Sequence, residues 1–566
     1  MLDLFAFARL RDASPDQLRD AFAEVCPPSS TRDDRIAMVR SALEGPFGSA
    51  LRGEMARWIV DHIVPVRSLV PRQYEHLAPI VRDAMEFEVA NLCSERLAPK
   101  LIEQIELPAG TRAEVRLLRL ISKVPGLQKL GQVLARNRHL RPSLRNALSK
   151  LENGIRDVSA GDIRAVVEQE LGPKIEQYGV EISASILSEA SVSAVLRFTW
   201  RDAESGERRR GVFKVLKPHI PACFAEDMDL LHRMAHHLGS KHRQYGFAPA
   251  VIQDTFRKVR QLLEHEIDFS GEQRTLAEAA AAYGKVRDIR VPAIIAHLCT
   301  SHVTAMTELP GTKVTNAARR LSASQRRKLA ERLTEALVAV PLCSPEVAAM
   351  FHGDPHAGNL LYDPQTGNLG LVDWALTESL SLDQRRHLAL FVAMVSLRNA
   401  AAVCMEIEAL TERPLSTAQK ITVRRFVTGY LEGLPLARRP QFTDAMVLLE
   451  RLALKGVRFP ASLIMFSKVM FTLDGILRDI RGNTSLGPRV ARKFLERWLT
   501  RKAPVGSPLA PSDWLSIAVN GLIYGGRVLV NMEQVFLGKR LAAHFPGRVA
   551  FNSQEEWAIS RRQPSI

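Results

Sequence analysis

Cysteine is scarce in this chain. Six are scattered between Cys26 and Cys404, and no two form a Cys-x-x-Cys pair. Neither a zinc site nor a disulfide framework is expected, and the thiols read as reduced and buried, as in a cytosolic protein. Phosphate-binding glycine motifs are missing as well. No Gly-x-Gly-x-x-Gly precedes Lys214, and no Gly-x-x-x-x-Gly-Lys-Ser/Thr occurs, which argues against an ordinary protein kinase and a P-loop enzyme. The chain also lacks a long uncharged apolar run. Its best candidate, residues 514–541, is preceded by Asp513 and cut by Arg527 and Glu533, so its runs fall short of the ~20 residues that span a bilayer. A packed helix is expected there, with an interfacial amphipathic helix as the alternative. No secretory signal is read at the start, where Asp3 stands in place of a base and Arg9 and Arg11 interrupt the apolar residues. The expected location is the cytoplasm, with peripheral contact at the inner membrane face as an extension of that reading.

Charge is plentiful and lopsided. Lys and Arg number 77 against 61 Asp and Glu, a formal net charge of +16 over 566 residues. Such an excess suits nucleic acid, anionic membrane or phosphorylated ligands. The bases are spread out, however, in short clusters such as Arg208-Arg209-Arg210 and Arg326-Arg327-Lys328. Neither a basic run interleaved with aromatics nor a zinc-finger or RNA-binding signature is present, so nucleic acid is not expected as a partner. Solvated helix faces account for most of the charge, and a basic surface resting on anionic lipid is the intermediate expectation. His236, His237 and His242 read as helix-end residues, not metal ligands.

The chain is 46% hydrophobic and 24% charged, ordinary for a globular protein of two or three domains. Residues 1–115 read as helices of unassigned role. Residues 182–187, 192–200 and 211–216 read as strands, followed by helices and two further strands at 291–295 and 303–307. Five antiparallel strands with a helix inserted after the third form the small lobe of a protein kinase. From Ser322 onward the chain is mainly helical apart from a hairpin, as a large lobe would be. The expected organisation is therefore 1–115 helical, 116–315 small lobe with a helical extension, 316–500 large lobe and 501–566 a helical tail. The fold class is α+β, a kinase-like bilobal fold with helical extensions.

The chemistry concentrates in His352-Gly353-Asp354-Pro355-His356-Ala357-Gly358-Asn359, followed by Leu371-Val372-Asp373. An Asp, an Asn five residues later and a second Asp fourteen further on is the acidic layout of a phosphoryl-transfer site. The first Asp orients or deprotonates the acceptor, and the other two hold magnesium against the nucleotide phosphates. Residues 360–362 and 369–372 read as short strands around the turn formers Asp363-Pro364-Gln365-Thr366-Gly367-Asn368. A hairpin there would return Asp373 beside Asn359, so that oxygen ligands converge. Lys214 lies on the third strand, where a lysine would neutralise phosphates once a carboxylate positions it. The acid run Glu264, Glu266, Asp268 and Glu272 reads as one helix, 261–272. It is either a solvated face or the source of that carboxylate at Glu272. Lys129 and Gln132, three apart, would share a helix face.

Together these residues resemble the UbiB/AarF family of atypical, protein-kinase-like ATP-binding proteins, over about residues 127–396. Lys129-Leu130-Gly131-Gln132 looks like the family's Lys-x-Gly-Gln helix, Glu266-Ile267-Asp268 like its Glu-x-Asp motif, and residues 352–359 like its catalytic loop. The resemblance implies ATP or ADP and Mg2+ as cofactors, with Lys214 on the phosphates and Glu272 positioning it. It implies Asp354 as the catalytic aspartate, Asn359 and Asp373 as metal ligands, and nucleotide contacts at Ala190, Ser191 and Glu308. Lys129 and Gln132 would cover the site, with Lys129 meeting Glu266 or Asp268, and would obstruct protein substrates. A kinase or ATPase serving isoprenoid-lipid or quinone metabolism follows from the resemblance. A nucleotide-binding pseudokinase scaffold of a membrane-associated complex and an aminoglycoside- or choline-type small-molecule kinase are the alternatives. The chain departs from the family at Ser188-Glu189-Ala190-Ser191, at Ala194 and at Asp373-Trp374-Ala375.

Overall fold

The protein is represented by a computed structural model. It describes residues 14–26, 29–63, 66, 70, 75–76, 78–108, 110–122, 124, 158–202, 204–246, 248–435, 438–481, 509–510 and 512–524. The chain divides into two compact units, residues 1–280 with 292–309, and residues 281–291 with 310–566.

In the first unit, α1 (Pro15–Val25), α2 (Arg32–Glu44), α3 (Gly48–Trp58), α4 (Ala78–Asn91), α5 (Ser94–Glu106) and α6 (Ala113–Ile121) precede α7 (Ala160–Leu171). The expected Ser14 start is present: its hydroxyl accepts the Gln17 N–H, and Pro15 occupies the first helical position. Trp58, Ile59, Leu97 and Leu101 build the core of this helical region. That core takes in Leu230 from α8 (Ile220–Ser240), so the N-terminal helices are seated on the helix that follows the sheet. Arg96 reinforces the junction with 2.7 Å contacts to both Glu226 and Asp227 on α8.

The strands of this unit are β1 (Glu181–Glu189), β2 (Ser193–Arg201) and β3 (Arg208–Leu216). Helices α8, α9 (Pro249–Ile267) and α10 (Phe269–Tyr283) come next. β5 (Val303–Thr307) closes this unit, after β4 (Ile289–Arg290), which belongs to the second. The sheet is antiparallel in the order β1-β2-β3-β5. Alternating residues of β2 and β3 face one core, where the rings of Phe198 and Phe213 stack 3.7 Å apart beneath Ile163, Val167 and Leu171 of α7. The expected fifth strand, 291–295, is not a ladder strand. It is reduced to one bridge between Ile294 and Met306, because Pro292 has no N–H to donate. The adjoining residues 289–290 pair in parallel with the second unit's β9.

The second unit opens with that β4, then β6 (Thr312–Lys313), α11 (Ala323–Thr334), β7 (Ala348–His352), β8 (Leu360–Tyr362), β9 (Leu369–Leu371) and β10 (Thr377–Ser381). The helices α12 (Leu382–Ser396), α13 (Ala400–Ala409), α14 (Thr417–Glu432), α15 (Phe442–Leu454) and α16 (Ala461–Asp479) complete it, with a further helix over 512–524. The expected hairpin is present: β8 and β9 pair antiparallel with Leu360 opposite Leu371. No helix among the described residues is long and apolar enough to cross a membrane.

Candidate active site

The expected site residues fall into two groups, one in each unit. In the first, β3 presents Lys214 between the buried Phe213 and Val215. The Lys214 Nζ donates to Glu272 Oε1 at 2.6 Å, with the Glu272 side chain 4% exposed. A charge-assisted bond of that length holds both side chains in one geometry. The ammonium also lies 5.7 Å from the centre of the Phe269 ring, where the aromatic face favours a cation.

The helix bearing Glu272 begins where the sequence pattern suggested a continuous helix. The expected single helix over 261–272 is instead two, α9 ending at Ile267 and α10 starting at Phe269. Asp268 breaks it by acting as the cap: its Oδ1 accepts the Gly271 N–H at 2.8 Å, and its carbonyl accepts the Glu272 N–H at 2.9 Å. A Cβ on Gly271 would stand 2.2 Å from Asp268 Oδ2, so a larger residue there would push the capping carboxylate aside. Gln273 then pins α10 to β5, donating from Nε2 to the Thr300 and Val303 carbonyls and to Thr304 Oγ1. Glu266 sits on the last turn of α9. Lys129 and Gln132 lie outside the described residues.

Around the turn between β1 and β2, the Ala190 N–H donates to the Ser193 carbonyl at 2.8 Å and Ser191 forms the bend. Glu189, an unlikely neighbour for an anion, is accounted for by a residue that sequence reasoning passed over. Lys217 Nζ lies 2.9 Å from Glu189 Oε1, with side chains 0% and 4% exposed. The Lys217 N–H also donates to the Val192 carbonyl, so the turn is clamped to the end of β3. Glu308, just after β5, pairs with Arg197 Nε at 2.6 Å, and its N–H donates to the Arg210 carbonyl.

In the second unit, β7 delivers the loop that begins at His352. His352 is almost fully buried. Its Nδ1 accepts the Asp354 N–H at 3.2 Å, so the other nitrogen carries the proton and donates to the Val372 carbonyl at 3.0 Å. Burial holds this imidazole below its ordinary pKa, which keeps it in the neutral form that this bonding requires. The ring thereby ties the start of the loop to the residue before Asp373. The Asn359 carbonyl accepts the Val372 N–H at 3.0 Å, completing the return that the hairpin predicts. Asn359 Nδ2 donates to the Asp354 carbonyl at 3.2 Å, and this bond sets the side-chain oxygen apart as the acceptor end.

Asp373 follows in the left-handed region, at φ 63°, a conformation Asp tolerates better than most residues. Ala375 is not in that region, so the alanine in Asp373-Trp374-Ala375 carries no left-handed strain. Trp374 fills a buried slot, its Nε1 donating to the Leu371 carbonyl and its ring 4.8 Å from His352 and 5.3 Å from Tyr283. No group of three or more His, Cys, Asp or Glu side chains among the described residues would hold a metal alone. One exposed carboxylate and one oriented amide oxygen fit magnesium, which is commonly bound by one or two protein oxygens plus substrate phosphates.

A helix-inserted antiparallel sheet with a lysine bonded to a helix glutamate, together with a second unit built on a His-Gly-Asp loop, defines a kinase-like α+β protein. Within that class, residues 150–406 match the family described as "ABC1 atypical kinase-like domain". The resemblance expected from the motifs is thereby borne out. The chain is 24% identical over 450 residues to "Probable protein kinase UbiB" of Haemophilus ducreyi, covering 76% of this chain and 80% of that protein. It is 26% identical over 365 residues to "Protein ACTIVITY OF BC1 COMPLEX KINASE 7, chloroplastic" of Arabidopsis thaliana, covering 62% and 50%. A solved structure, the Rv3197–erythromycin complex from Mycobacterium tuberculosis, is similar at 18% identity and a TM-score of 0.44. That match covers 68% of this chain and 92% of the other.

Proposed function

We propose that this chain is a magnesium-ATP-dependent atypical kinase or ATPase that acts on, or supports, small-molecule metabolism of the isoprenoid-lipid or quinone kind. The observation that supports it best is the Lys214–Glu272 bond at 2.6 Å. This is the ion pair a protein kinase needs in place before it transfers a phosphoryl group. Lys214 would hold phosphate oxygens, and Asn359 with Asp373 would hold the metal, which when bound neutralises charge on those phosphates. Asp354 would orient the acceptor hydroxyl and take its proton as the acceptor oxygen bonds to phosphorus and the bond to the leaving ADP breaks. With water as acceptor the same residues give hydrolysis.

The test is thermal unfolding with and without Mg-ATP, followed by ADP release. Mg-ATP should raise the Tm of the wild type and raise that of Asp373→Asn much less. Asp354→Asn should keep the Tm shift and lose turnover by about 100-fold or more, the scale of a positioned general base. Absence of any Mg-ATP shift in the wild type would refute the reading. A shift with no turnover would select the nucleotide-binding scaffold instead.

A further inference from the structure

Lys468 comes from α16, more than a hundred residues after the catalytic loop and outside the segment 150–406 that matches the kinase-like family. Its Nζ lies 3.6 Å from Asp354 Oδ1. We propose that Lys468 is a positioning residue for Asp354. It fixes the rotation of the carboxylate that receives the acceptor's proton and keeps a positive charge beside the phosphoryl group in transit. The inference rests on the reading of Asp354 given above.

Three observations support it. First, stability does not explain the contact. The two side chains are 41% and 26% exposed, and ion pairs so wet add little to folding. Second, the helix is anchored against the loop itself. Phe466, fully buried, meets the ring of Phe351 edge-on at 5.3 Å and 88°, and Phe351 immediately precedes His352. Ser467 and Val469, on either side of Lys468, are buried at 3% and 1%. The backbone at 468 therefore cannot slide along the loop without emptying those sites, and Lys468 is the one of the three whose side chain reaches outward. Third, phosphoryl transfer needs cation near the transferring group. Of the residues read as site residues in this unit, Asp354, Asn359 and Asp373, none supplies positive charge.

The test uses the full chain as Lys468→Met and Lys468→Arg, with ADP release at varied Mg-ATP and the Tm shift induced by Mg-ADP. Lys468→Met should lower kcat about tenfold, the effect of a partly screened charge at this distance. The KM for Mg-ATP, the Mg-ADP shift and the unliganded Tm should stay close to wild type. Lys468→Arg keeps the charge and should recover most of the rate. A wild-type kcat in Lys468→Met overturns the proposal. So does a Lys468→Arg as slow as Lys468→Met, or a fall in unliganded Tm that accounts for the lost rate. A wild type that shows neither Mg-ATP shift nor turnover sinks the underlying reading as well, which separates the two failures.

Discussion

Removing Glu189 should destabilise the protein far more than its place in a surface turn suggests. The carboxylate sits 2.9 Å from Lys217 Nζ, and both side chains are essentially inaccessible to water, at 4% and 0%. Screening by solvent is absent, so the surface value for an ion pair does not apply. Glu189→Ala removes one member of a buried ion pair, a change that costs about 3–5 kcal/mol in comparable pairs. For a chain of 566 residues each kcal/mol moves Tm by about 1 °C, so a fall of about 3–5 °C is expected. Lys217→Met should be milder, because Met fills the same slot. The double variant Glu189→Ala, Lys217→Met should return to within about 1–2 kcal/mol of wild type, since it removes both buried charges together. The assay is a double-mutant cycle read by thermal and denaturant unfolding, with the Mg-ATP shift measured on each variant. The reasoning is refuted by a Glu189→Ala that melts like wild type. It is equally refuted by a double variant whose loss equals the sum of the singles, since that additivity would mean the two groups do not interact.

Two predictions concern pH. Burial and the neighbouring Asp227 raise the Glu88 pKa from 4.5 to about 8. A raised carboxyl contributes stability that is full below about pH 4.5 and is lost as pH rises through about 8. Glu88→Gln should therefore gain on wild type by about 2–3 kcal/mol between about pH 6 and about pH 9 in denaturant unfolding, and a difference that does not change with pH would exclude this. His352 works in the opposite direction. Burial lowers its pKa below 6.5, so its contribution is present above that value and is lost as pH falls. His352→Gln, though less stable at neutral pH, should lose less Tm between about pH 7 and about pH 5 than wild type does. An equal loss in both proteins would show that the imidazole stays neutral for another reason or titrates freely.

The loop 352–359 was legible because the proposed phosphoryl transfer demands particular side chains at short spacings. Asp354, Asn359 and Asp373 are bound together by one loop and one hairpin, and the turn formers 363–368 announce that hairpin. Strands β1 to β3 were legible from their alternation. The helix break at Asp268 was missed because apolar and acidic residues continue in helical rhythm across it. An Asp three residues before a glycine was the local signal for a cap. The missing fifth ladder strand had its signal in Pro292. Lys129 and Gln132, read from the sequence as a cover, lie outside the described residues and remain a proposal.

By itself the sequence determined what depends on near neighbours: which residues form the loop, which strand carries Lys214, and that a hairpin returns the chain before Asp373 to Asn359. Only the tertiary structure decided which charge meets which. Lys214 reaches Glu272 across 58 residues, Lys217 reaches back to Glu189, and Lys468 arrives at Asp354 from a helix beyond the matched segment 150–406. The reason is physical. Periodicity and turn preference report interactions within a few residues along the chain. An ion pair between distant elements exists only after their apolar faces, such as Phe351 against Phe466, have been brought together.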